Sequence, residues 1–144
     1  MDAADHIMTV SELTRRTVIE KYNQDPAKVT TVHNAVEPLS DAETFTKTPR
    51  KDKVVTFLGR ITMQKGPEYF VEAAHLVLKK TKGVRFVMAG SGDMMNAMID
   101  LAAKKGISDR FHFTGFLKGR QVHEMLAESD VYIMPSVSEP FGIS

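Results

Sequence analysis

The chain has 144 residues, a net charge of +1 and no cysteine. Its hydrophobic fraction of 42% is enough for one globular domain with a sizeable core. The near-zero net charge argues against a general role in nucleic-acid binding, and the lack of cysteine excludes disulfides, thiol nucleophiles and cysteine metal sites. No signal peptide is recognisable, so we expect a protein that is cytoplasmic or peripheral to the membrane.

Short apolar runs alternate with a helical pattern in residues 1–36. Residues 7–10 and 29–32 predict strands, and Ser11 is a suitable N-cap for a helix over residues 12–22. Residues 37–52 are polar, contain Pro38 and Pro49 and show no periodicity, which predicts an interdomain linker.

The alternation becomes regular in residues 53–144. Apolar runs predict strands over 53–58, 84–89, 111–114 and 131–134, and Pro67 and Gly106 mark the start of one helix and the end of another. Strands that alternate with helices predict an α/β fold, with a Rossmann-like parallel sheet and covering helices. Ligands bind such sheets at the carboxyl ends of the strands, so the loops of interest are 59–66, 90–93, 115–118 and 135–144.

The first of these loops carries two cations between two glycines, just before a helix. The Arg60 guanidinium could grip a phosphate with two hydrogen bonds, and the Lys65 ammonium would add a point charge. Together with the helix N-terminus this suits a diphosphate. The alternative is a solvated turn with ordinary surface cations, and the loop is not a Walker A sequence.

Two other loops give weaker signals. Gly90 and Gly92 form a lone G-x-G that lacks the third small residue of a dinucleotide fingerprint, so a tight turn is the alternative. In the last loop, the Glu139 carboxylate could accept hydrogen bonds from sugar hydroxyls, and the N–H groups of Gly142 and Ile143 could meet phosphate oxygens. The alternative there is a surface turn.

Taken in order, the loops resemble the C-terminal domain of retaining GT-B glycosyltransferases of family 4, which are related to glycogen and starch synthases. The motifs are Phe57-Leu58-Gly59-Arg60 with Lys65-Gly66, Met88-Ala89-Gly90-Ser91-Gly92, Phe113-Thr114-Gly115-Phe116-Leu117, and Pro135-Ser136 with Glu139-Pro140-Phe141-Gly142. Residues 4–11 and 31–37 resemble the end of the family's N-terminal domain, although Ala35 and Glu37 replace the usual Gly and Asp.

The resemblance implies a role for each site residue. Arg60 and Lys65 would bind the donor diphosphate and stabilise it as the leaving group, and Glu139 would be the first carboxylate of the family's E-x7-E motif, in contact with the donor sugar. The remaining substrate contacts would come from Phe116 and Leu117 beside the nucleotide base, from the backbone of Phe141, Gly142 and Ile143, and from Gly59 and Gly90. The family needs no metal and no cofactor besides the nucleotide-sugar.

The resemblance also implies an activity, retaining hexosyl transfer from a UDP-, ADP- or GDP-sugar to a sugar or glycan, with α-glucan synthesis as one candidate. Residues 53–144 would be a truncated donor domain, since the second carboxylate of E-x7-E would follow Ser144. We therefore expect an inactive fragment that self-associates through an exposed sheet edge. The alternatives are an epimerase of GT-B architecture and a non-catalytic nucleotide-binding or interaction domain; the incomplete glycine fingerprint disfavours an oxidoreductase.

Overall fold

The computed structural model describes residues 1–36, 44–139 and 142. Its internal contacts divide the chain into two compact units, which in described residues comprise 1–36 with Gly142 and 44–139. No helix in these ranges is long and apolar enough to cross a membrane. The predicted boundaries of the linker, 37–52, stay a prediction, and residues 37–43 lie outside the described part.

The first unit is a small parallel strand pair with one helix. Strand β1 (Ile7–Thr9) pairs with β2 (Val29–Thr31), and helix α1 (Glu12–Lys21) connects them. Ser11 is the N-cap of α1, and its Oγ accepts a hydrogen bond from the Thr14 amide at 3.1 Å. The predicted strands and helix are therefore confirmed, each one residue shorter than expected.

The second unit contains a four-stranded parallel sheet. Its strands are β3 (Lys53–Leu58), β4 (Val84–Ala89), β5 (Phe111–Gly115) and β6 (Val131–Tyr132), in the spatial order β5-β4-β3-β6. The helices are α2 (Pro67–Lys80), α3 (Met95–Lys104) and α4 (Arg120–Glu128). This confirms the predicted Rossmann-like sheet with covering helices. The last strand is two residues long, where the sequence predicted four.

Aromatic and aliphatic side chains join the sheet to α2 and α3. Phe70 of α2 packs with Phe57 of β3 and Phe86 of β4, and the ring centroids are 5.7 and 5.8 Å apart. Met98 of α3 and Ile61 are buried in the same cluster. Burial of a large apolar side chain stabilises a fold by about 1.5–3 kcal/mol, so this face of the sheet holds the unit together.

Acidic residues at the end of α4 bind the chain that leads into β3. The Glu128 carboxylate accepts hydrogen bonds from the Thr48 amide and hydroxyl and pairs with Arg50 at 2.7 Å. The Asp130 carboxylate accepts from the Val54 amide at 2.8 Å and pairs with Lys47 at 2.9 Å. Residues 47–54 are thereby fixed at the amino end of the sheet.

Candidate functional site

Backbone hydrogen bonds tie three loops together at the carboxyl end of the sheet. The Gly59 amide donates to the Ala89 carbonyl at 3.0 Å, and the Ile61 amide donates to the Ser91 carbonyl at 2.9 Å. The Gly90 amide in turn donates to the Gly115 carbonyl at 2.9 Å. The loops after β3, β4 and β5 therefore form one rigid edge, where parallel sheets bind their ligands.

Gly90 lies where two of these loops touch. Its φ is +138°, and a Cβ added to it would lie 1.8 Å from the Gly59 carbonyl oxygen. Only glycine fits such a close approach. This gives Gly90 a packing role in the tight turn that was the alternative interpretation of its motif, while its predicted contact with a substrate stays a prediction.

Gly66 sets the start of α2 beside the last loop. It has a left-handed conformation with φ +60°, and a Cβ there would lie 2.4 Å from the Pro135 carbonyl oxygen. Pro67 follows at the first position of the helix, where its fixed φ is favourable. This close approach brings loop 59–66 against the segment that carries Ser136 and Glu139, and the Val137 amide donates to the Gln64 carbonyl at 2.9 Å.

Lys65 and Glu139 form an ion pair at this junction. The Lys65 side chain is only 10% exposed, and its Nζ donates to Glu139 Oε2. The Ser136 hydroxyl donates to the same carboxylate oxygen at 3.2 Å. The structure thus joins two predicted site residues that are 74 positions apart in the sequence, and a charge-assisted bond of this kind fixes the direction of both side chains.

Arg60 lies in the same loop as Lys65, but its side chain differs in exposure and in pairing. The residue is exposed, and its guanidinium makes no hydrogen bond or ion pair with any described residue. It leaves five N–H donors and a full positive charge open to solvent at the carboxyl end of β3. Such a guanidinium can donate two hydrogen bonds to a phosphate without first breaking an interaction with a described residue.

Tyr132 is a neighbour of the site that sequence reasoning missed. Its hydroxyl donates a long hydrogen bond, 3.5 Å, to the Leu58 carbonyl at the end of β3. Burial, and then the negative charge of Glu139, raise the pKa of this hydroxyl above its usual value, so it stays protonated. Tyr132 lies within the strand predicted over residues 131–134, and no signal in the sequence placed that strand beside the site.

The predicted base-binding residues follow β5. Phe116 is 64% exposed and Leu117 is half-buried, and the Lys118 ammonium lies 5.9 Å from the centre of the Phe116 ring. Since β4 separates β5 from β3 in the sheet, these residues lie two strands away from the Arg60 loop. The spacing of two strands is about 10 Å, which a nucleotide can bridge.

The remaining predicted contacts lie mostly outside the described residues. Phe141 and Ile143 belong to this group, and Gly142 is described only with a positive φ of +58°. Their contacts with sugar and phosphate stay predictions. Among the described residues, no cluster of three or more His, Asp or Glu side chains could hold a metal ion.

Comparison with known proteins gives this edge a context. The family model of the glycosyl transferases group 1 matches residues 41–144. An uncharacterized glycosyltransferase of Methanocaldococcus jannaschii is 33% identical over 95% of the chain, and the D-inositol 3-phosphate glycosyltransferase of Gordonia bronchialis is 29% identical over 99%. The chain spans 38% and 35% of the lengths of these two relatives.

Solved structures share the fold. TarM superimposes with a TM-score of 0.83 at 19% identity, over 99% of this chain and 27% of TarM. HepE of Anabaena, crystallised with UDP and glucose, superimposes with a TM-score of 0.78 at 17% identity, over 96% of this chain and 40% of HepE. Because the family model covers most of the sequence and the parallel sheet is that of GT-B enzymes, the chain belongs to the group 1 glycosyl transferases.

Proposed function

We propose that this chain is the donor-binding part of a glycosyltransferase and holds a nucleotide-diphosphate sugar at the carboxyl end of its four-stranded sheet. The observation that carries the proposal is the pairing of Lys65 with Glu139, in the loop that also carries Arg60, whose guanidinium has no partner among the described residues. One group there can accept from sugar hydroxyls, and two cations can meet the phosphates. A nucleotide-sugar presents the complementary groups, which are a negatively charged diphosphate and the hydroxyls of its sugar.

Arg60 and Lys65 would act on the diphosphate. When the bond between the sugar carbon and the phosphate oxygen breaks, negative charge grows on the leaving diphosphate, and cations already in place stabilise it. The exposed Arg60 guanidinium would donate two hydrogen bonds to one phosphate. Lys65 would add its remaining N–H donors while one stays on Glu139.

Glu139 would orient the donor sugar. The ammonium of Lys65 and the hydroxyl of Ser136 both donate to Oε2. These two contacts fix the direction of the carboxylate, and such preorganisation favours the transition state. Phe116 and Leu117 would flank the base, and Gly59 and Gly90 would allow the backbone to approach the donor.

The solved structures of similar proteins support a nucleotide-sugar as the donor. HepE and the pneumococcal O-GlcNAc transferase GtfA were crystallised with UDP and a sugar, which supports a UDP-sugar over ADP- and GDP-sugars. We infer retaining transfer of the family 4 type, without a metal, to a sugar or glycan acceptor. α-Glucan synthesis is one candidate, and the cytoplasmic location and self-association through the β6 edge are further parts of this proposal.

A heteronuclear NMR titration of the chain with UDP, ADP and GDP tests the proposal. We expect amide shifts confined to residues 59–66, 115–118 and 139–144, with one base preferred. Arg60→Gln should weaken binding about tenfold, because one charge-assisted phosphate contact is lost. The variant should fold normally, since the Arg60 side chain contacts no described partner.

Arg16→Gln is the matched control for this titration. Arg16 is an exposed arginine of α1 that makes no side-chain hydrogen bond or ion pair within the described ranges. Its loss should leave binding unchanged. The proposal is wrong if millimolar UDP, ADP and GDP all leave the three segments unshifted, or if both arginine variants weaken binding equally.

A further inference from the structure

A basic cavity lies at the amino end of the same sheet, opposite to the donor loops. It has a volume of about 320 Å³ and lies between the end of α2 and the connection from α3 to β5. Helix α2 begins beside the donor loop at Pro67 and runs for 14 residues towards the cavity. At 1.5 Å per residue this is about 21 Å, so the cavity is a separate place on the molecule.

Cationic side chains from two chain segments line this cavity. They are Lys79 and Lys82 near the end of α2, Lys105 at the end of α3, and Arg110 before β5. The acidic side chain in the lining, Asp109, is 74% exposed and lies 3.4 Å from Arg110. The lining therefore carries a clear excess of positive charge.

Two of these cations have no partner in the described part of the chain. Lys105 pairs with Glu72 at 2.7 Å, and Arg110 lies 3.5 Å from Asp52. Lys79 and Lys82 make no side-chain hydrogen bond or ion pair with any residue that the structure describes. Their charges are available to a ligand.

Cations at the end of a helix also occur simply because they complement the helix dipole. Here the helix ends are closed by the backbone itself. The Thr81 amide donates to the Val77 carbonyl at 2.8 Å, and the Ile107 amide donates to the Ala102 carbonyl at 3.0 Å. The lysine ammonium groups are therefore not used in capping these carbonyls.

We propose that this cavity binds a small phosphorylated ligand, with Lys79 and Lys82 as its main contacts. Two ammonium groups can surround a phosphate without displacing an existing ion pair. The volume is at the lower end of the range for small-molecule sites, which suits a phosphate-bearing metabolite or a lipid headgroup. Because the contacts are electrostatic and partly exposed, binding weakens as salt increases.

An NMR titration with inorganic pyrophosphate tests the site. We expect amide shifts at residues 81–83 and 105–107, and a loss of affinity of about tenfold in Lys79→Gln/Lys82→Gln. The matched control is Lys80→Gln/Lys104→Gln, which removes the same charge from exposed neighbours outside the lining. Affinity in the control should stay within about twofold of the parent chain.

Co-sedimentation with vesicles of phosphatidylglycerol and phosphatidylcholine distinguishes the source of the phosphate. Vesicle binding that Lys79→Gln/Lys82→Gln abolishes and the control retains assigns the site to a lipid headgroup. Pyrophosphate binding with the same dependence, and no vesicle binding, assigns it to a soluble ligand. The proposal is overturned if pyrophosphate leaves residues 81–83 and 105–107 unshifted and the vesicles do not bind, or if the two double variants lose affinity equally.

Discussion

Two charged clusters, one at each end of the four-stranded sheet, use charge in opposite ways. At the amino end, Glu128 and Asp130 accept hydrogen bonds from the segment before β3 and pair with its cations. At the carboxyl end, Lys65 pairs with Glu139, and the Arg60 guanidinium has no partner among the described residues. Charges held in this way fix a chain segment, whereas an open cation beside closely packed glycines leaves binding capacity. The comparison indicates that the Glu128 and Asp130 contacts serve the fold, while the Arg60 loop serves a ligand.

The largest effect is expected from filling the close contact at the carboxyl end. Gly90→Ala would place a Cβ 1.8 Å from the Gly59 carbonyl oxygen, so we expect a loss of about 3 kcal/mol in the free energy of unfolding. Gly106→Ala is the control, because Gly106 also has a positive φ but nothing lies within 4 Å of its added Cβ. Its cost should be about 1 kcal/mol, from backbone strain alone.

Urea denaturation of both glycine variants measures the difference. Equal losses would show that conformational strain, and not the contact between the two loops, makes glycine necessary at position 90. The close packing of Gly90 against Gly59 would then not explain the rigidity of the carboxyl edge.

A smaller effect is expected from Asp130→Asn at the amino end. The Val54 amide, Lys47 and Lys53 hold the pKa of the Asp130 carboxyl well below its usual value of 3.8. The folded state therefore favours the ionised form. This contribution to stability is complete well above pH 3.8 and is lost as the pH falls through the lower, folded pKa.

Denaturation at a series of pH values checks this prediction. Asp130→Asn should unfold more easily than the parent chain at pH 7, and the difference should shrink below about pH 4. Asp100→Asn is the control, since Asp100 is exposed and makes no side-chain hydrogen bond or ion pair in the described ranges. A difference for Asp130→Asn that is independent of pH would contradict the role of its charge.

The smallest effect is expected from Ser136→Ala in the candidate site. This variant removes one hydrogen bond to Glu139 Oε2 and should weaken the binding of a nucleotide-sugar about threefold. Binding of the matching nucleotide diphosphate should not change, because it lacks the sugar. Ser138→Ala, at an exposed position without a side-chain bond in the described part, is the control. Calorimetric titration of both ligands distinguishes a sugar-specific effect from a general one.

Sequence patterns predicted the elements of the fold well. Apolar runs ending at Gly59 and Gly90 placed β3 and β4 correctly, because a strand buried on both faces is continuous in apolar residues. The length of β6 was overestimated, since the apolar run continues into Ile133 and Met134, beyond Tyr132, the last residue paired in register with β3.

The geometry of the candidate site was less predictable. Sequence pointed to Lys65 and Glu139 separately, but their contact depends on β6 lying next to β3, and no local pattern encodes strand order. The neighbouring Tyr132 was missed for the same reason. The fixing of residues 47–54 by Glu128 and Asp130 also arises from distant pairing, while the polar composition of that segment suggested a linker.

The order of the strands has a consequence for how the site forms during folding. Strands β3 and β4 and helices α2 and α3, which supply most of the apolar core, come from residues 53–104. The contact between Lys65 and Glu139 closes a loop of 74 residues and needs β6 in place. Contacts of such long range form late. During synthesis, a chain that has reached the end of α3 already contains most of the core residues, but the pair forms only after β6 has joined the sheet.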